Sequence, residues 1–394
     1  MVLASAALLT TGCTDDFLKQ DPLSFYNPQN TYTTESGLKS ALAMCDYGLK
    51  EMLMDGNGNI LPMASLYFMT DIGLYAKTDA GNIQDDFANK ITPTSGMKGG
   101  GDENAMQRFW DRTWNSVTFA NTIISNVDKV EGLDQTLHDE YLGRAYFHRA
   151  YAYYHGVLLF GDIPLITKLI EVPKQNYKST SILDQSAEEN MGANQFNGAT
   201  KGNATSNGNM YLFRLAETYL LRAEAKFYQG NAAGAAEDVN VIRRRANAKK
   251  MFTTVTIGDI ADERARELYL EEWRQPELTR ISWCLAKSGQ PDEWGETYSI
   301  DNWDKQSGTD LNGGSYWFKR CTRYSLFNHG PITSKATINY QVDKRNLFWP
   351  VPNSAITANT GAQLRQNYGY DGYDPNVFMF DNWEEAVADE ETAQ

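Results

Sequence analysis

The stretch YLFRLAETYLLRAEAKFYQGNAAGAAEDVNVIRRRA, residues 211–246, constrains the fold more tightly than any other part of the chain. Leu212, Ala216, Tyr219, Ala223 and Phe227 recur at steps of three and four, the spacing that puts side chains on one face of a helix. Gly230 supplies a left-handed stop, and Asn231 is placed to cap a second helix directly after it. Two helices joined by so short a turn lie antiparallel. Alanines at 216, 223, 225, 232, 235 and 236 leave little bulk between them, so the two axes approach closely.

Two further runs share this periodicity. In DEYLGRAYFHRAYAYYHGVLLFGDIP, residues 139–164, Leu142, Tyr146, Ala150, Tyr153, Val157 and Phe160 form a stripe that Gly161 and Pro164 end. This predicts an amphipathic helix of about five turns. DIADERARELYLEEWRQP, residues 259–276, reads as a helix capped by Asp259 and stopped at Pro276. Weaker patterns cover Gly37 to Met54 and Arg108 to Val130. The expected class is mostly α, with tetratricopeptide-like helix pairs as scaffold over about 30–54, 105–165 and 211–280. Residues 55–104, 166–210 and 285–394 read as loop-rich, with Gly, Asn, Ser and Thr clusters such as SGMKGGGDEN and NQFNGATKGNATSNGN. Aromatics are spread through the last of these, among them Trp294, Tyr298, Trp303, Tyr316, Trp317 and Phe318.

The chain opens MVLASAALLTTGCTDDFL, a short uncharged run ending at Gly12-Cys13. Val2 to Leu9 fits the core of a secretory signal and is far short of the roughly 20 apolar residues a membrane span needs. A small residue before a cysteine is what lipoprotein processing requires, so residues 1–12 are expected to be a signal peptide and Cys13 the lipidated first residue of a single domain, 13–394. The body carries 50 acidic against 36 basic residues, a net charge of -14 that argues against a nucleic-acid partner. Cys45, Cys284 and Cys321 form no Cys-x-x-Cys pair, so neither a zinc site nor a disulfide framework is indicated, although one bridge is possible. His148 and His155 share a helix face but stand about 10 Å apart along it, too far for one metal. No cofactor is expected. The serine-hydrolase motif G-x-S-x-G, the zincin motif H-E-x-x-H and the P-loop are all absent from the sequence.

Four passages together resemble the SusD/RagB family of outer-membrane nutrient-binding lipoproteins. They are Cys13 followed by Thr14-Asp15-Asp16-Phe17-Leu18; Arg144 to Ala150 leading into Phe160-Gly161-Asp162-Ile163-Pro164-Leu165; Arg214 to Glu217 and Arg222 to Ala225 joined to Glu263 to Leu268; and Pro350-Val351-Pro352 with Gln366-Asn367-Tyr368-Gly369-Tyr370. Glu272 stands where the family usually has glycine, Glu277 where aspartate is frequent, and Tyr368 where proline is common. Only 46 residues, Leu165 to Met210, separate Pro164 from Tyr211, so the middle is shortened relative to the family pattern and part of the usual binding face would be missing. The charged positions read as packing devices: Arg214 with Glu217 at i,i+3, and Glu263, Arg266 and Glu267 on one helix, worth tenths of a kcal/mol each when exposed. Pro350 and Pro352 fix an extended segment, and Gly369 permits a turn.

The resemblance implies a lipid-anchored cell-surface protein of the outer membrane that captures an oligosaccharide or polysaccharide without enzymatic chemistry and hands it to a TonB-dependent, SusC-like transporter. The implied binding face draws on the loops TDIGLYAKTDAGN and QPDEWGETYSIDNW. The candidate ligand residues are Asp71, Tyr75 and Lys77 in the first, and Asp292, Trp294, Tyr298, Asn302 and Trp303 in the second. Sugar rings stack their CH faces on Trp and Tyr, while carboxylates and amides take the hydroxyls. Two alternatives remain. A helical glycoside hydrolase would need two carboxylates about 5–10 Å apart across a cleft; a repeat scaffold that binds only protein would need the helix pairs alone.

Overall fold

The computed structural model describes residues 31–53, 61–74, 83–96, 98–100, 103–170, 176–183, 212–333 and 337–392. The expected signal peptide, Cys13, Tyr75 and Lys77, and most of the shortened middle segment lie outside the described residues. Among the described residues, four helices of eight residues or more make the first half: α1 (Glu35–Leu53), α2 (Leu61–Phe68), α3 (Ala105–Asn126) and α4 (Gln135–Phe160). α1, α3 and α4 pack on one another, and Leu38, Ala41, Cys45, Ala120, Ile123 and Ala145 form a small separate core at one end of this bundle. Asp134 caps α4 by accepting from the Thr136 amide at 2.7 Å. The helix is longer than the stripe implied, 26 residues, and from Tyr151 to Phe160 every side chain is buried. The reason is tertiary: α4 is packed by α3 and also by a later helix, so no face is left to water.

The alanine-rich hairpin forms as expected, with α5 (Leu215–Tyr228) and α6 (Ala232–Arg245) packed along their length. Gly230 sits at φ +79°, and Asn231 accepts from the Gly234 amide at 2.8 Å. The third run differs from expectation. It is two helices, α7 (Ile257–Glu267) and α8 (Arg274–Ser288), separated by a turn in which Leu270 has φ +59°. Thr256 is the cap of α7 and Asp259 completes a capping box, each side chain binding the other residue's amide. Pro276 falls in the first turn of α8, where a missing N–H breaks no helical hydrogen bond, and so it stops nothing.

The region read as loop-rich beyond residue 285 holds α9 (Tyr316–Tyr324), α10 (Asn353–Ala358) and α11 (Trp383–Thr392). Tyr316, Trp317 and Phe318, expected as loop aromatics, are fully buried on α9. The Pro-Val-Pro and Gln-Asn-Tyr-Gly passages act as a clamp on the end of α4. The Trp349 amide donates to the Leu159 carbonyl at 2.6 Å, the Gln366 side chain pairs with both backbone groups of Val351 at 2.8 Å, and Asn367 donates to the carbonyls of Phe160 and Trp349 at 2.8 and 2.7 Å. Gly369 takes the expected turn at φ +81°, in a place where a Cβ would meet the Arg345 side chain at 2.9 Å. A short parallel ladder, Ser179–Thr180 against Met379–Phe380, ties the C-terminal segment to the middle of the chain.

The charged positions also pair otherwise than at i,i+3. Arg214 reaches from the start of the hairpin to Glu267 at the end of α7 and Glu271 in the turn after it, and Glu217 faces Arg264 at 3.6 Å. Nor is the network exposed. Arg264 is fully buried against Glu272 at 2.7 Å, Glu277 at 2.8 Å and Glu224 at 3.3 Å; Arg280 binds Glu224 and Glu277 at 2.8 and 2.9 Å. Burial pushes the Glu217 carboxyl up to about 8, because Arg264 already serves three nearer carboxylates and Glu277 and Glu272 repel a further charge. A carboxyl raised from 4.5 in the unfolded chain to about 8 in the fold takes up a proton on folding, so its effect on stability turns unfavourable as pH climbs through that window. Glu217→Gln is therefore expected to match the wild type near pH 4.5 and to exceed it by about 2 kcal/mol or more at pH 8. Urea denaturation at the two pH values checks this; a constant difference between the proteins would mean that Glu217 is ionised in the fold.

Candidate functional site

The loop after α8 is organised by one carboxylate. Asp292 is buried and accepts from the amides of Trp294 at 2.9 Å and Glu296 at 2.8 Å and from the Tyr298 hydroxyl at 2.6 Å. Burial and the Asp292 charge raise the Tyr298 phenol far above its ordinary value, so it stays a donor to that carboxylate. Asp292 thus shapes the loop from within and has no oxygen turned to solvent for a ligand, a correction to its expected role. Trp294 is half-buried, lying 5.7 Å from the ring of Tyr324 at 33°, with the Arg323 guanidinium 4.1 Å from the indole centroid. Lys319 covers the Tyr298 ring at 4.4 Å, and Lys319 and Arg323 both bind Glu296.

Asp71 is brought to the same place from beneath. Its carboxylate is wholly buried, 2.7 Å from Arg274 and 2.6 Å from Arg320, and Arg320 continues to Glu293 at 3.0 Å and Asp262 at 2.6 Å. Arg320 therefore joins the two loops singled out from the sequence, and its guanidinium lies 4.4 Å from the Tyr324 ring centroid. Burial alone would raise the Asp71 carboxyl; Arg274 and Arg320 outweigh it and hold it at about 2. Such a group is structural, and its expected place on the ligand-facing surface is corrected accordingly.

Trp303 departs from the group. It is 3 % exposed, with Trp283 at 5.4 Å and Phe348 at 5.9 Å, so it fills the core edge rather than offering a free face. Asn302 is exposed, and its backbone closes the turn that delivers Trp303 inward: its amide donates to Ser299 and its carbonyl accepts from Lys305. What remains as an outward face is Trp294 with Tyr324, rimmed by Arg323, Glu296 and Asp262, with the buried Lys319 holding Glu296 from behind. Tyr324 is 51 % exposed, and the Glu296 and Asp262 side chains are 41 % and 46 % exposed. The sequence does not single out Tyr324, Arg323 and Lys319, because they belong to α9, whose nine residues carry no helical stripe long enough to repeat. The tilted rings offer a stacking edge, and both charge signs stand beside it.

The fold is a tetratricopeptide-like helical scaffold with an aromatic face built from α9 and the loop after α8. A model of the SusD family matches residues 173–370, and one described as starch-binding associating with outer membrane matches 63–189. The chain belongs to the SusD family. Starch-binding protein SusD of Bacteroides thetaiotaomicron is 52% identical over 70 residues, which is 18% of this chain and 12% of that protein. SusD-like protein P2 of Formosa agariphila is 26% identical over 248 residues, 57% of this chain and 45% of the relative. The chain spans less than half the length of the curated relatives it matches. Among solved structures, a SusD superfamily protein from Bacteroides vulgatus aligns with a TM-score of 0.54 at 12% identity over 86% of this chain and 100% of that one. Surface glycan-binding protein A from Bacteroides uniformis aligns with a TM-score of 0.51 at 12% identity over 85% and 99%.

Removing Asp71 leaves two buried guanidiniums without a shared partner. Asp71→Ala is expected to destabilise the protein by about 3–5 kcal/mol. In the wild type, the contribution of Asp71 is complete above its ordinary value of 3.8 and is lost as pH falls through about 2. Guanidinium denaturation at neutral pH tests the role: an unchanged midpoint would return Asp71 to the surface group.

Proposed function

We propose that this protein captures an oligosaccharide on the Trp294–Tyr324 face and, as a surface component of the outer membrane anchored through Cys13, passes it to a TonB-dependent transporter. The observation that carries the proposal is the convergence of two tilted aromatic rings with Glu296, Asp262, Lys319 and Arg323, all ion-paired among themselves or to buried partners. Pyranose CH faces lie flat on such rings, and the partly exposed Glu296 and Asp262 carboxylates and the Arg323 guanidinium at the rim take hydroxyls in both hydrogen-bond directions. No bond need break. The names of the relatives support a glycan as ligand, since one is a starch-binding protein and another fold neighbour a surface glycan-binding protein. The outer-membrane description of the family model covering residues 63–189 supports the location. Gly12-Cys13 followed by Asp15-Asp16 supports the lipid anchor.

A ring that stacks on a sugar is worth about 0.5–1.5 kcal/mol beyond its buried area. Trp294→Ala and Tyr324→Ala are each expected to weaken binding about three- to tenfold with little change in melting temperature. Calorimetric titration of a panel of oligosaccharides, maltooligosaccharides included, decides the matter. Wild-type protein that binds none of the panel, or variants that bind as well as the wild type, would sink the assignment of this face.

The anchor is tested separately. Cys13→Ser, expressed from its own signal, is expected to move the protein from the membrane to the soluble fraction and to abolish palmitate labelling. Retention of label in that variant would exclude Cys13 as the lipidated residue.

A further inference from the structure

A second concavity shares no residue with the Trp294–Tyr324 face. It is a cavity of about 290 Å³ between α3, the segment following Pro164, and α10 with the turn after it. Trp114, Ile166, Tyr177 and Leu364 supply its apolar wall. Two amides also line it, and both are spent on shaping it. Asn121 donates to the carbonyls of Ile166 and Lys168 at 3.1 and 3.0 Å and accepts from Arg149 at 2.8 Å. Asn359 accepts from the Tyr177 amide at 2.8 Å and donates to the carbonyls of Tyr177 and Ala362 at 2.7 and 2.9 Å. A pyranose, with a hydroxyl on nearly every carbon, would lose water there and gain few partners.

One charge is left. Lys168 lines the cavity, and its ammonium has no ion-pair partner among the described residues; its backbone amide is held by Glu390, a carboxylate occupied by Thr167 as well. An apolar wall with few convergent polar groups is the usual composition of a small-molecule pocket, and a lone cationic residue in its lining selects charge. We propose that this cavity binds a small amphipathic monoanion, its aromatic or aliphatic body against Trp114, Ile166, Tyr177 and Leu364 and its carboxylate or sulfonate on Lys168. The site is independent of the glycan reading.

The test is a fluorescence titration of the full chain with 1-anilinonaphthalene-8-sulfonate, repeated with the uncharged N-phenyl-1-naphthylamine. Wild-type protein is expected to bind one equivalent of each saturably, and octanoate, but not octyl glucoside, to displace the sulfonate. Ala358→Trp, which places bulk in the cavity from an exposed position of α10, is expected to weaken both probes at least tenfold. Lys168→Met, which keeps the apolar stem, is expected to weaken only the sulfonate, about tenfold. Melting curves matching the wild type's show that either variant is folded. Absence of saturable binding, or Ala358→Trp binding like the wild type, overturns the site; equal loss of both probes in Lys168→Met, or of neither, overturns the assignment of the anion.

Discussion

Arg264 lies fully buried among carboxylates, and from it a continuous line of ion pairs runs through the protein. Glu224, Arg280, Glu277, Arg264, Glu272, Arg274, Asp71 and Arg320 follow one another with contacts of 3.3 Å or less. Along it the carboxylates of Glu224, Glu277, Glu272 and Asp71 alternate with the guanidiniums of Arg280, Arg264, Arg274 and Arg320, and Arg320 carries Glu293 and Asp262 besides. An apolar core of the same shape would stabilise as well or better, because desolvating so many charges costs about what their attraction returns. What the line supplies is register. Shifting α7 by one turn against α8, or α9 against the Asp71 loop, would leave a buried charge without its partner, and that is far more costly than a displaced leucine.

The same line positions the outward face. Arg320 is its last member, and it reaches both Glu293, beside Trp294, and the ring of Tyr324. The rings stand where they do because their loop and helix are tied to a buried guanidinium rather than held by local turn chemistry alone. Asp292 then folds the loop upon itself through three accepted hydrogen bonds. A face built this way is pre-organised, so a ligand meets side chains that have already lost most of their rotamer freedom. The cavity beside α3 is shaped by the same means, with Asn121 and Asn359 bonded to backbone on opposite walls.

Much of the scaffold was legible in the residues. The hairpin at Gly230, the long helix ended by Gly161 and the extended Pro-Val-Pro segment all rest on local rules: periodicity, caps and the fixed φ of proline. Where local rules failed, a local signal was ambiguous. Asp259 is as good an N-cap as Thr256 by type, and only the reciprocal bonds of the capping box tell N3 from the cap. Pro276 signals a helix stop or a first turn equally well, and the left-handed Leu270 that breaks the run has no mark in its own side chain. Tyr316, Trp317 and Phe318 read as loop because α9 is only about two and a half turns long, too short for a stripe to repeat.

Identity of fold was thus settled by the order of residues along the chain: which segments are helical, where they stop, and that their small-residue seams must pair. Whether an aromatic faces water was settled only in three dimensions. Trp294 and Trp303 sit nine residues apart in one polar stretch, yet the first stays partly exposed at the edge of the core and the second is buried in it. The difference lies in distant partners, since Trp303 meets Trp283 and Phe348 while Trp294 meets Arg323 and Tyr324 on α9. Likewise Asp71 looks like any loop carboxylate until Arg274 and Arg320, some two hundred and more residues away, close on it. Burial is a property of contacts between segments, and no period or cap within one segment encodes it.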